Sequence, residues 1–505
     1  MRVIASFLRL ISVAIAIIVQ IIVLLFMILF MQQFVWFYIL SEIIAVIAFL
    51  SIINRDDKPE YKIAWLIPLL VFPIFGALLF VLFAKNNTNE HFRMQQKEYN
   101  ESFCKAISGT ESKFSELIDT SAQKQAHYLQ NHAHAPLYSN TSVEYFPIGE
   151  AMFDSMLKEL KNAKKFIFLE FFIIKFGLMW DSILEILEQK VAEGLDIRVI
   201  YDDFGSLFHL PNFYFKDLEA KGIKACVFNR FKPSLSGSFN NRDHRKIMVI
   251  DGNVAYTGGI NIADEYINHI EVHGHWLDSG VILKGEAVWS FTLMFLSMWD
   301  YLYNTKSDIN AFATDKNDFL NIKSKGFVQP FSDVPLDGEN IGEGAYYNII
   351  SRAKEYVYIC TPYLIIDNAL MLALSNCAKS GVDVRIITPG IGDKWYVHAT
   401  TRSYYKSLIK AGVRIYEYTP GFIHSKTVVC DGDMALCGTI NFDFRSLYLH
   451  YECGVCLYDN KAVMQIYDSF IDTLFKCTEQ NLDNIKVPWY KELIRAILKM
   501  FAPLM

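Results

Sequence analysis

The sequence has no excess of positive charge and no ordered pattern of cysteines. Its 48 lysines and arginines are outnumbered by 54 acidic residues, which gives a net charge of −6. General nucleic-acid binders are usually basic, so we expect no nucleic-acid partner. The nine cysteines are scattered, and the lone Cys-x-x-Cys pair, Cys453 and Cys456, has no second pair beside it. A disulfide framework and a zinc site are therefore not expected.

Long apolar runs, in contrast, are abundant in the first 84 residues. Three runs cover residues 11–31, 34–53 and 64–83. Each has about 20 residues, enough to cross a hydrocarbon core about 30 Å thick. The first run is too long for a cleaved secretory signal and lacks a small-residue cleavage site. The sequence therefore predicts a multi-pass membrane anchor of amino-terminal transmembrane helices.

The basic residues around these runs leave two orientations open. With three crossings, the basic residues before residue 63 lie on the side opposite the rest of the chain. Because basic loops favour the cytoplasm, that count places the main body outside it. With two crossings, the amino terminus and the main body share one side of the membrane.

One short motif occurs twice in the rest of the chain. The first copy contains His244, Lys246, Asp251, Gly258 and Asn261. The second copy contains His424, Lys426, Asp431, Gly438 and Asn441, and every member follows its counterpart by 180 positions. A fixed offset between two complete copies indicates an internally duplicated domain.

The residue types within the motif indicate chemistry on an oxyanion. Each copy ends an apolar, β-branched run at Asp-Gly, which predicts a hairpin. Residues two apart on a strand share a face, so each histidine lies beside its lysine. Lysine and asparagine can hold phosphoryl oxygens while histidine attacks or transfers a proton. Since no carboxylate pair or Cys/His cluster accompanies them, the motif predicts covalent catalysis that needs no metal and no cofactor.

Strand and helix patterns alternate through both halves and predict an α/β layered fold. The phrase Gly-x-Asp-x-Arg starts a strand at 194–198 and again at 381–385, which supports duplication away from the motif. We therefore divide the chain into five segments. They are transmembrane segments (1–84), a polar juxtamembrane helix and linker (85–135), a first repeat (136–325), a second repeat (326–486) and an amphipathic carboxyl-terminal helix (487–505).

The carboxyl-terminal segment has two interpretations. Lys491, Arg495 and Lys499 are spaced four apart, with apolar residues on the other side and Trp489 and Tyr490 at the start. This pattern is typical of an interfacial membrane helix. An ordinary packed terminal helix has the same amphipathic pattern.

The duplicated pattern His-x-Lys-x4-Asp-x6-Gly-Gly/Thr-x-Asn resembles that of the phospholipase D superfamily. Further phrases resemble the bacterial cardiolipin synthases within it: residues 240–252, 258–266, 201–206, 361–364 and 441–446. The resemblance covers nearly the whole chain. It implies two phospholipase D-like α/β/α domains packed about a pseudo-twofold axis, in an enzyme of the bacterial plasma membrane.

The resemblance also implies roles for the motif residues. His244 is the expected nucleophile and His424 the expected acid, while Lys246, Lys426, Asn261 and Asn441 are expected to bind the phosphoryl oxygens. In the family, an acidic residue on the strand after each motif orients a histidine. These residues are Asp278 in the first half and Glu452 in the second, 34 and 28 positions after the histidine of the same half. The extra six positions predict a loop insertion at 268–273.

Three positions need separate treatment. Asp251 and Asp431 belong to the catalytic motif, but each lies seven residues after its histidine, and strict alternation points it to the opposite face. We interpret both as residues of the hairpin turn. Gly259 stands where the family often has serine, and His450 stands where it commonly has asparagine.

The implied function is phosphatidyl transfer between two phosphatidylglycerol molecules, which gives cardiolipin and glycerol through a phosphohistidine. Alternative acceptors are phosphatidylethanolamine or glycerol. Hydrolytic phospholipase D activity would use the same residues with water as the acceptor. A superfamily nuclease is disfavoured by the acidic balance, and a membrane scaffold would have no reason to retain both His-x-Lys sets.

Overall fold

The computed structural model describes residues 22, 35–55, 58–81, 117, 119–230, 241–315, 319, 322, 324–335 and 338–504. The chain forms two compact units. One comprises Met1–Asn87 with Ser234–Ser238, and the other comprises Thr88–Pro233 with Phe239–Met505. The predicted apolar run at 11–31, apart from residue 22, and residues 85–116 of the predicted juxtamembrane helix and linker (85–135) lie outside the described residues.

The described part of the smaller unit is helical. Helix α1 spans Val35–Ile53, α2 spans Pro59–Val71 and α3 spans Pro73–Leu79. The run at 64–83, expected as one continuous span, is therefore divided between two helices. Pro73 explains the break, because proline has no N–H and its ring clashes with the preceding turn of a helix. Over the described residues, no helix has both the length and the apolar composition needed to cross a bilayer.

The larger unit contains two mixed sheets with the same strand order. The first sheet is ordered β1-β9-β7-β6-β2-β3-β4, and the second begins β10-β19-β17-β16-β11-β13-β14 and adds β20 at its edge. The strands of the first are β1 (Thr141–Phe146), β2 (Phe166–Phe171), β3 (Asp196–Asp202), β4 (Lys224–Phe228), β6 (Lys246–Ile250), β7 (Val254–Gly258) and β9 (Gly280–Gly285). Because seven strands recur in the same spatial order, the predicted duplication is confirmed.

The second sheet consists of β10 (Phe327–Asp333), β11 (Tyr356–Cys360), β13 (Asp383–Pro389), β14 (Arg414–Tyr418), β16 (Thr427–Cys430), β17 (Met434–Gly438), β19 (His450–Tyr458) and β20 (Cys477–Gln480). Short strands outside the two main orders are β5 (Arg242–Asp243), β8 (His275–Leu277), β12 (Leu364–Ile365), β15 (Gly421–Ile423) and β18 (Phe442–Asp443). The motif hairpins form as predicted: β6 pairs antiparallel with β7, and β16 with β17.

Helices cover the sheets. In the larger unit they are α4 (Thr120–Ala133), α5 (Gly149–Asn162), α6 (Leu178–Ala192), α7 (Tyr214–Ala220), α8 (Val288–Tyr303), α9 (Ile341–Arg352), α10 (Asn368–Lys379), α11 (Trp395–Ala411), α12 (Phe444–Tyr448), α13 (Lys461–Leu474) and α14 (Trp489–Met500). Side chains alternate across the first sheet, as the period of a strand requires. Phe168 and Val249 enter a core shared with α8, whereas Leu169 and Met248 enter the core beneath α5 and α6. The expected α/β/α layering is therefore present.

The core on the α8 side of the first sheet joins the two repeats. It also receives Tyr358 and Val429 from the second sheet and Phe470 from α13. One continuous apolar cluster thus fixes both repeats together, which allows a site to be built from both.

The carboxyl-terminal helix, expected over 487–505, spans Trp489–Met500, and a short 3₁₀ turn follows at Ala502–Leu504. Helix α14 packs on α11, with the ammonium of Lys499 4.3 Å from the ring centre of Tyr404. None of its residues is buried, and Trp489 is 76% exposed. The helix is thus packed along one side and has an exposed apolar side.

Candidate active site

The first motif histidine is held by a carboxylate from the other repeat. His244 is 7% exposed and lies between β5 and β6. Its Nδ1 is 2.9 and 3.0 Å from the two carboxylate oxygens of Glu452, a fully buried residue of β19. A carboxylate can only accept, so Nδ1 carries the proton and the lone pair is on Nε2.

The second motif histidine is held by a carboxylate of the first repeat. His424 is 6% exposed, and its Nδ1 is 2.6 Å from Oδ2 of the fully buried Asp278 in the first repeat. Each motif histidine is therefore bound by a carboxylate of the other repeat, a pairing that the sequence left open. Both acidic residues are thus brought to the histidines.

Two short parallel ladders between the repeats cause this exchange. In β5 and β19, Arg242 pairs with His450 and Asp243 with Tyr451. Extending that register by one position places His244 opposite Glu452, and the backbone N–H of His244 donates to the carbonyl of Tyr451 at 2.9 Å. Strand pairing therefore joins the two repeats at the position of His244.

The equivalent ladder joins β15 and β8. Phe422 pairs with Trp276 and Ile423 with Leu277, which places His424 opposite Asp278. The backbone N–H of His424 donates to the carbonyl of Leu277 at 2.7 Å. In both ladders, the residues immediately before a motif histidine pair with the residues immediately before the acidic residue of the other repeat.

The predicted loop insertion does not disturb this register. The side chain of Asn268 accepts from the backbone N–H of Trp276 at 2.7 Å and donates to its carbonyl at 2.9 Å. These two bonds close the loop and return the chain to β8. Asp278 therefore reaches His424 despite the six additional residues.

Both motif lysines are buried beside the histidines. Lys246 donates to the backbone carbonyl of His244 at 2.7 Å, and Lys426 donates to that of His424. Burial lowers the pKa of Lys246 to about 8 and that of Lys426 to about 7, although Glu452 and Asp278 act in the opposite direction. Two ammonium groups in one buried place suit a bound anion.

The histidines are neutral imidazoles in the free site. Burial lowers the pKa of His244 and that of His424 well below the usual value, and the neighbouring lysine charges lower both further. Burial also raises the pKa of Asp278 to about 7. A neutral imidazole whose Nδ1 proton is bound has its Nε2 lone pair free to act as a nucleophile or a base.

The two motif asparagines differ in their surroundings. Asn261 accepts from the backbone N–H of Ile173 at 3.1 Å and donates to the hydroxyl of Tyr266 at 2.7 Å. The carboxylate of Asp443 accepts a hydrogen bond from Asn441, whose own Oδ1 has no hydrogen-bond partner among the described residues. Asn261 is therefore already fixed, whereas Asn441 keeps an unused acceptor.

The structure brings Asp251 and Asp431 to the hairpin turns and not to the histidines. Asp251 accepts from three backbone N–H groups at 164–166, and Asp431 from three at 354–356. Both have left-handed backbones, with φ of 53° and 50°. Their contacts hold the start of β2 and of β11. This agrees with the prediction from strand alternation that both aspartates face away from the histidines, and not with a catalytic role.

The position after the motif glycine separates the two halves. The Thr439 hydroxyl donates to Glu452 and accepts from the backbone N–H of Cys453 at 3.0 Å. At the equivalent position, a Cβ on Gly259 would collide with the carboxylate of Asp278. In the second half, the Thr439 hydroxyl thus binds the longer side chain of Glu452. In the first half, Gly259 leaves room for the carboxylate of the shorter Asp278.

Several residues of the site were not assigned from the sequence. Aromatic rings surround His424, with ring centres 5.4 Å (Tyr266), 5.6 Å (Trp276) and 5.8 Å (Phe422) away. Phe172 lies 5.1 Å from the ring of His244, and His450 lies 5.4 Å from it. Aromatic residues are ordinary core residues, so no sequence signal singles these out. Only His450 carried a sequence signal, because it departs from the family pattern.

Within the described part of the chain, one group of side chains could hold a metal ion. It consists of His244, His450 and Glu452, whose ligand atoms lie within 4.8 Å of one another. The described cysteines are free, and Cys453 and Cys456 are buried in β19.

Comparisons with known proteins agree with this fold. The family model "Cardiolipin synthase, PLD-like domain" matches residues 156–294 and 346–474, and "Phospholipase_D-nuclease N-terminal" matches residues 43–85. The chain therefore belongs to the cardiolipin synthase family of phospholipase D-like proteins.

Individual relatives match over nearly the full length. An uncharacterized protein of Streptococcus mutans is 44% identical over 90% of this chain and 99% of its own. A cardiolipin synthase of Halalkalibacterium halodurans is 32% identical over 93% of this chain and 94% of its own. The crystal structure of phosphatidylserine synthase from Haemophilus influenzae has a similar fold, with a TM-score of 0.55 and 16% identity, over 75% of this chain and 98% of that one.

Proposed function

We propose that the protein is a cardiolipin synthase that transfers a phosphatidyl group from one phosphatidylglycerol to another and releases glycerol. The observation that carries the proposal is the pair of buried imidazoles, each with its Nδ1 bound by a carboxylate of the other repeat. That arrangement leaves two Nε2 atoms for chemistry and surrounds them with two ammonium groups. The relatives named cardiolipin synthase support the choice of substrate.

In the first half-reaction, Nε2 of His244 attacks the phosphorus of one phosphatidylglycerol. The bond from phosphorus to the glycerol oxygen breaks, and His424 gives that oxygen a proton. The products are free glycerol and a phosphatidyl group bonded to His244. Glu452 accepts the Nδ1 proton of His244 in a hydrogen bond and stabilises the positive charge that forms on the ring.

In the second half-reaction, the headgroup hydroxyl of another phosphatidylglycerol gives its proton to His424 and attacks the same phosphorus. The bond to His244 breaks and cardiolipin leaves. Lys246 and Lys426 stabilise the negative charge on the phosphoryl oxygens in both steps, and Asn261 and Asn441 supply amide donors. The proton that His424 gave in the first step is thereby restored.

The burial of the site favours transfer over hydrolysis. Both histidines are more than nine-tenths buried, and aromatic rings pack around His424. A phosphohistidine can be released by any hydroxyl that reaches it, so exclusion of water gives the lipid hydroxyl an advantage. Hydrolytic phospholipase D activity is the alternative that the assay below distinguishes.

The amino-terminal region is assigned to the membrane in this proposal. The three apolar runs within residues 1–84 would anchor the enzyme in the plasma membrane of a bacterium, where both lipid substrates are found. Residues 85–135 would link this anchor to the repeats at 136–325 and 326–486, with residues 487–505 as a terminal amphipathic helix. The matched amino-terminal family model at 43–85 supports this assignment.

The test uses the full-length protein with phosphatidylglycerol labelled in the glycerol headgroup. We expect labelled cardiolipin and free labelled glycerol in equal amounts, whereas phosphatidic acid without cardiolipin would establish hydrolysis instead. His244→Ala and His424→Ala should each abolish both products. His132→Ala, which changes an exposed histidine outside the site, should not. Near-normal turnover in either site variant would overturn the proposal.

A further inference from the structure

A third histidine next to the nucleophile is buried without hydrogen bonds. His450 is 9% exposed, and neither of its ring nitrogens has a hydrogen-bond partner among the described residues. Its nearest carboxylate oxygen, on Glu452, is 3.7 Å from Nδ1, which is too long for a hydrogen bond. Buried polar groups are nearly always satisfied, so an orphaned imidazole indicates that something else can bind it.

The surroundings of His450 supply the other ligands that a metal ion would need. His450 and Glu452 are two residues apart on β19 and therefore share a face. His244 Nδ1 lies 2.9 Å from Glu452, and the ligand atoms of all three residues lie within 4.8 Å of one another. Tetrahedral ligands at zinc distances of about 2.0–2.1 Å are separated by about 3.4 Å, so small side-chain movements would suffice.

We propose that His244, His450 and Glu452 form a binding site for a divalent transition metal such as Zn²⁺, and that its occupation switches the enzyme off. Two imidazoles and one carboxylate match zinc sites with three protein ligands and one open position. Nitrogen-rich sets favour zinc, nickel and copper, whereas Mg²⁺ and Ca²⁺ prefer oxygen. The neighbouring lysine charges oppose any cation, so binding is reversible by a chelator. The inhibitory effect rests on the proposed function, whereas the binding site itself does not.

The inhibition follows from the tautomer of His244. In the free enzyme, Nδ1 carries the proton and Nε2 carries the lone pair. A metal on Nδ1 takes up the lone pair of that nitrogen, so the single proton of the neutral ring moves to Nε2. Nε2 then has no lone pair with which to attack phosphorus, and no bond to substrate can form.

The test titrates Zn²⁺ into the full-length enzyme in detergent micelles with phosphatidylglycerol. Wild type should lose activity, and a chelator should restore it. His450→Asn, scored against its own metal-free rate, should bind Zn²⁺ and be inhibited by it at least about 100-fold more weakly, because loss of a ligand costs more than loss of an outer-shell partner. His132→Asn, the exposed control, should be inhibited like wild type. Absence of inhibition in wild type, or equal inhibition of His450→Asn, would overturn the proposal.

A binding measurement keeps the proposal testable without activity. Equilibrium dialysis should give one Zn²⁺ fewer for each chain of His450→Asn than of wild type, and Co²⁺ should give a tetrahedral visible spectrum only in wild type. Equal stoichiometry with identical Co²⁺ spectra would refute the site. If the enzyme made no cardiolipin while the metal count still differed, the proposed function would fail and the metal site would remain.

Discussion

Each motif histidine is held by a carboxylate of the other repeat, so substitution of one carboxylate should impair the role of only one histidine. Glu452→Gln removes the charged acceptor that holds Nδ1 of His244. Loss of a hydrogen bond to a charged group costs about 1.5–3 kcal/mol, or about 10- to 150-fold in rate. A wrong tautomer costs more, up to about 10⁴-fold when the aspartate of a serine-protease triad becomes asparagine. We therefore expect kcat to fall by about 10²- to 10⁴-fold.

Asp278→Asn should produce a similar loss with phosphatidylglycerol, but for a different reason. Asp278 orients His424, which protonates the departing oxygen, and general acid catalysis is worth about 10²- to 10⁴-fold. A substrate whose leaving group needs no proton, such as phosphatidyl-4-nitrophenol, bypasses this step. Asp278→Asn should therefore recover most of the rate of the first 4-nitrophenol release on that substrate, while Glu452→Gln should remain slow. Cardiolipin formation by Asp278→Asn should stay slow, because His424 also acts as the base in the second half-reaction.

The assay follows 4-nitrophenol release and cardiolipin formation for each variant. Glu492→Gln, which changes a surface carboxylate on α14, is the matched control and should behave like wild type on both substrates. If each acid instead served the histidine of its own repeat, the pattern would reverse. Recovery of Glu452→Gln but not of Asp278→Asn would refute the exchanged pairing together with the assigned roles.

Three further outcomes follow from the site and its turns. Because burial lowers the pKa of Lys426 to about 7 and that of Lys246 to about 8, their charges are present below these values and lost above them. A kcat/KM profile should therefore fall as pH rises through this range, and a rate still rising at about pH 9 would contradict it. Asp251→Asn should lower the free energy of unfolding by about 1–3 kcal/mol with nearly unchanged kcat, measured by denaturant titration and turnover. Gly259→Ala should displace Asp278 and lower kcat by about 100-fold; unchanged kcat would show that the carboxylate does not need that space.

Much of the fold could be predicted because its signals are local. The two Gly-x-Asp-x-Arg phrases do start strands, which lie at Asp196–Asp202 and Asp383–Pro389. The fixed offset between the motif copies anticipated two sheets with one strand order.

The exchanged pairing could not be predicted, because it depends on ladders of two and three residues between distant segments. Residues 242–243 meet 450–451, and 275–277 meet 421–423. Such short strands have no periodicity, and their partners are about 150–200 positions away along the chain. The direction of Asp251 and Asp431 could be predicted, because side-chain alternation within one hairpin depends only on residues that are close together in the sequence.

The enclosure of His424 was also beyond sequence reasoning. Tyr266, Trp276 and Phe422 come from both repeats and become neighbours only when the ladder of β8 and β15 forms. His450 gave a visible signal as a departure from the family pattern. Its meaning depends on the orphaned ring nitrogens, which only the three-dimensional arrangement reveals.

The most direct test of the central claim is to trap the covalent intermediate during turnover. Labelled phosphatidylglycerol is mixed with stoichiometric enzyme, the reaction is stopped under alkaline conditions that preserve phosphohistidine, and the modified peptide is identified by mass spectrometry. We expect a phosphatidyl group on His244 that accumulates before cardiolipin appears and is absent from His244→Ala. Cardiolipin formation with no adduct, or with the adduct on a residue outside the histidine pair, would contradict it.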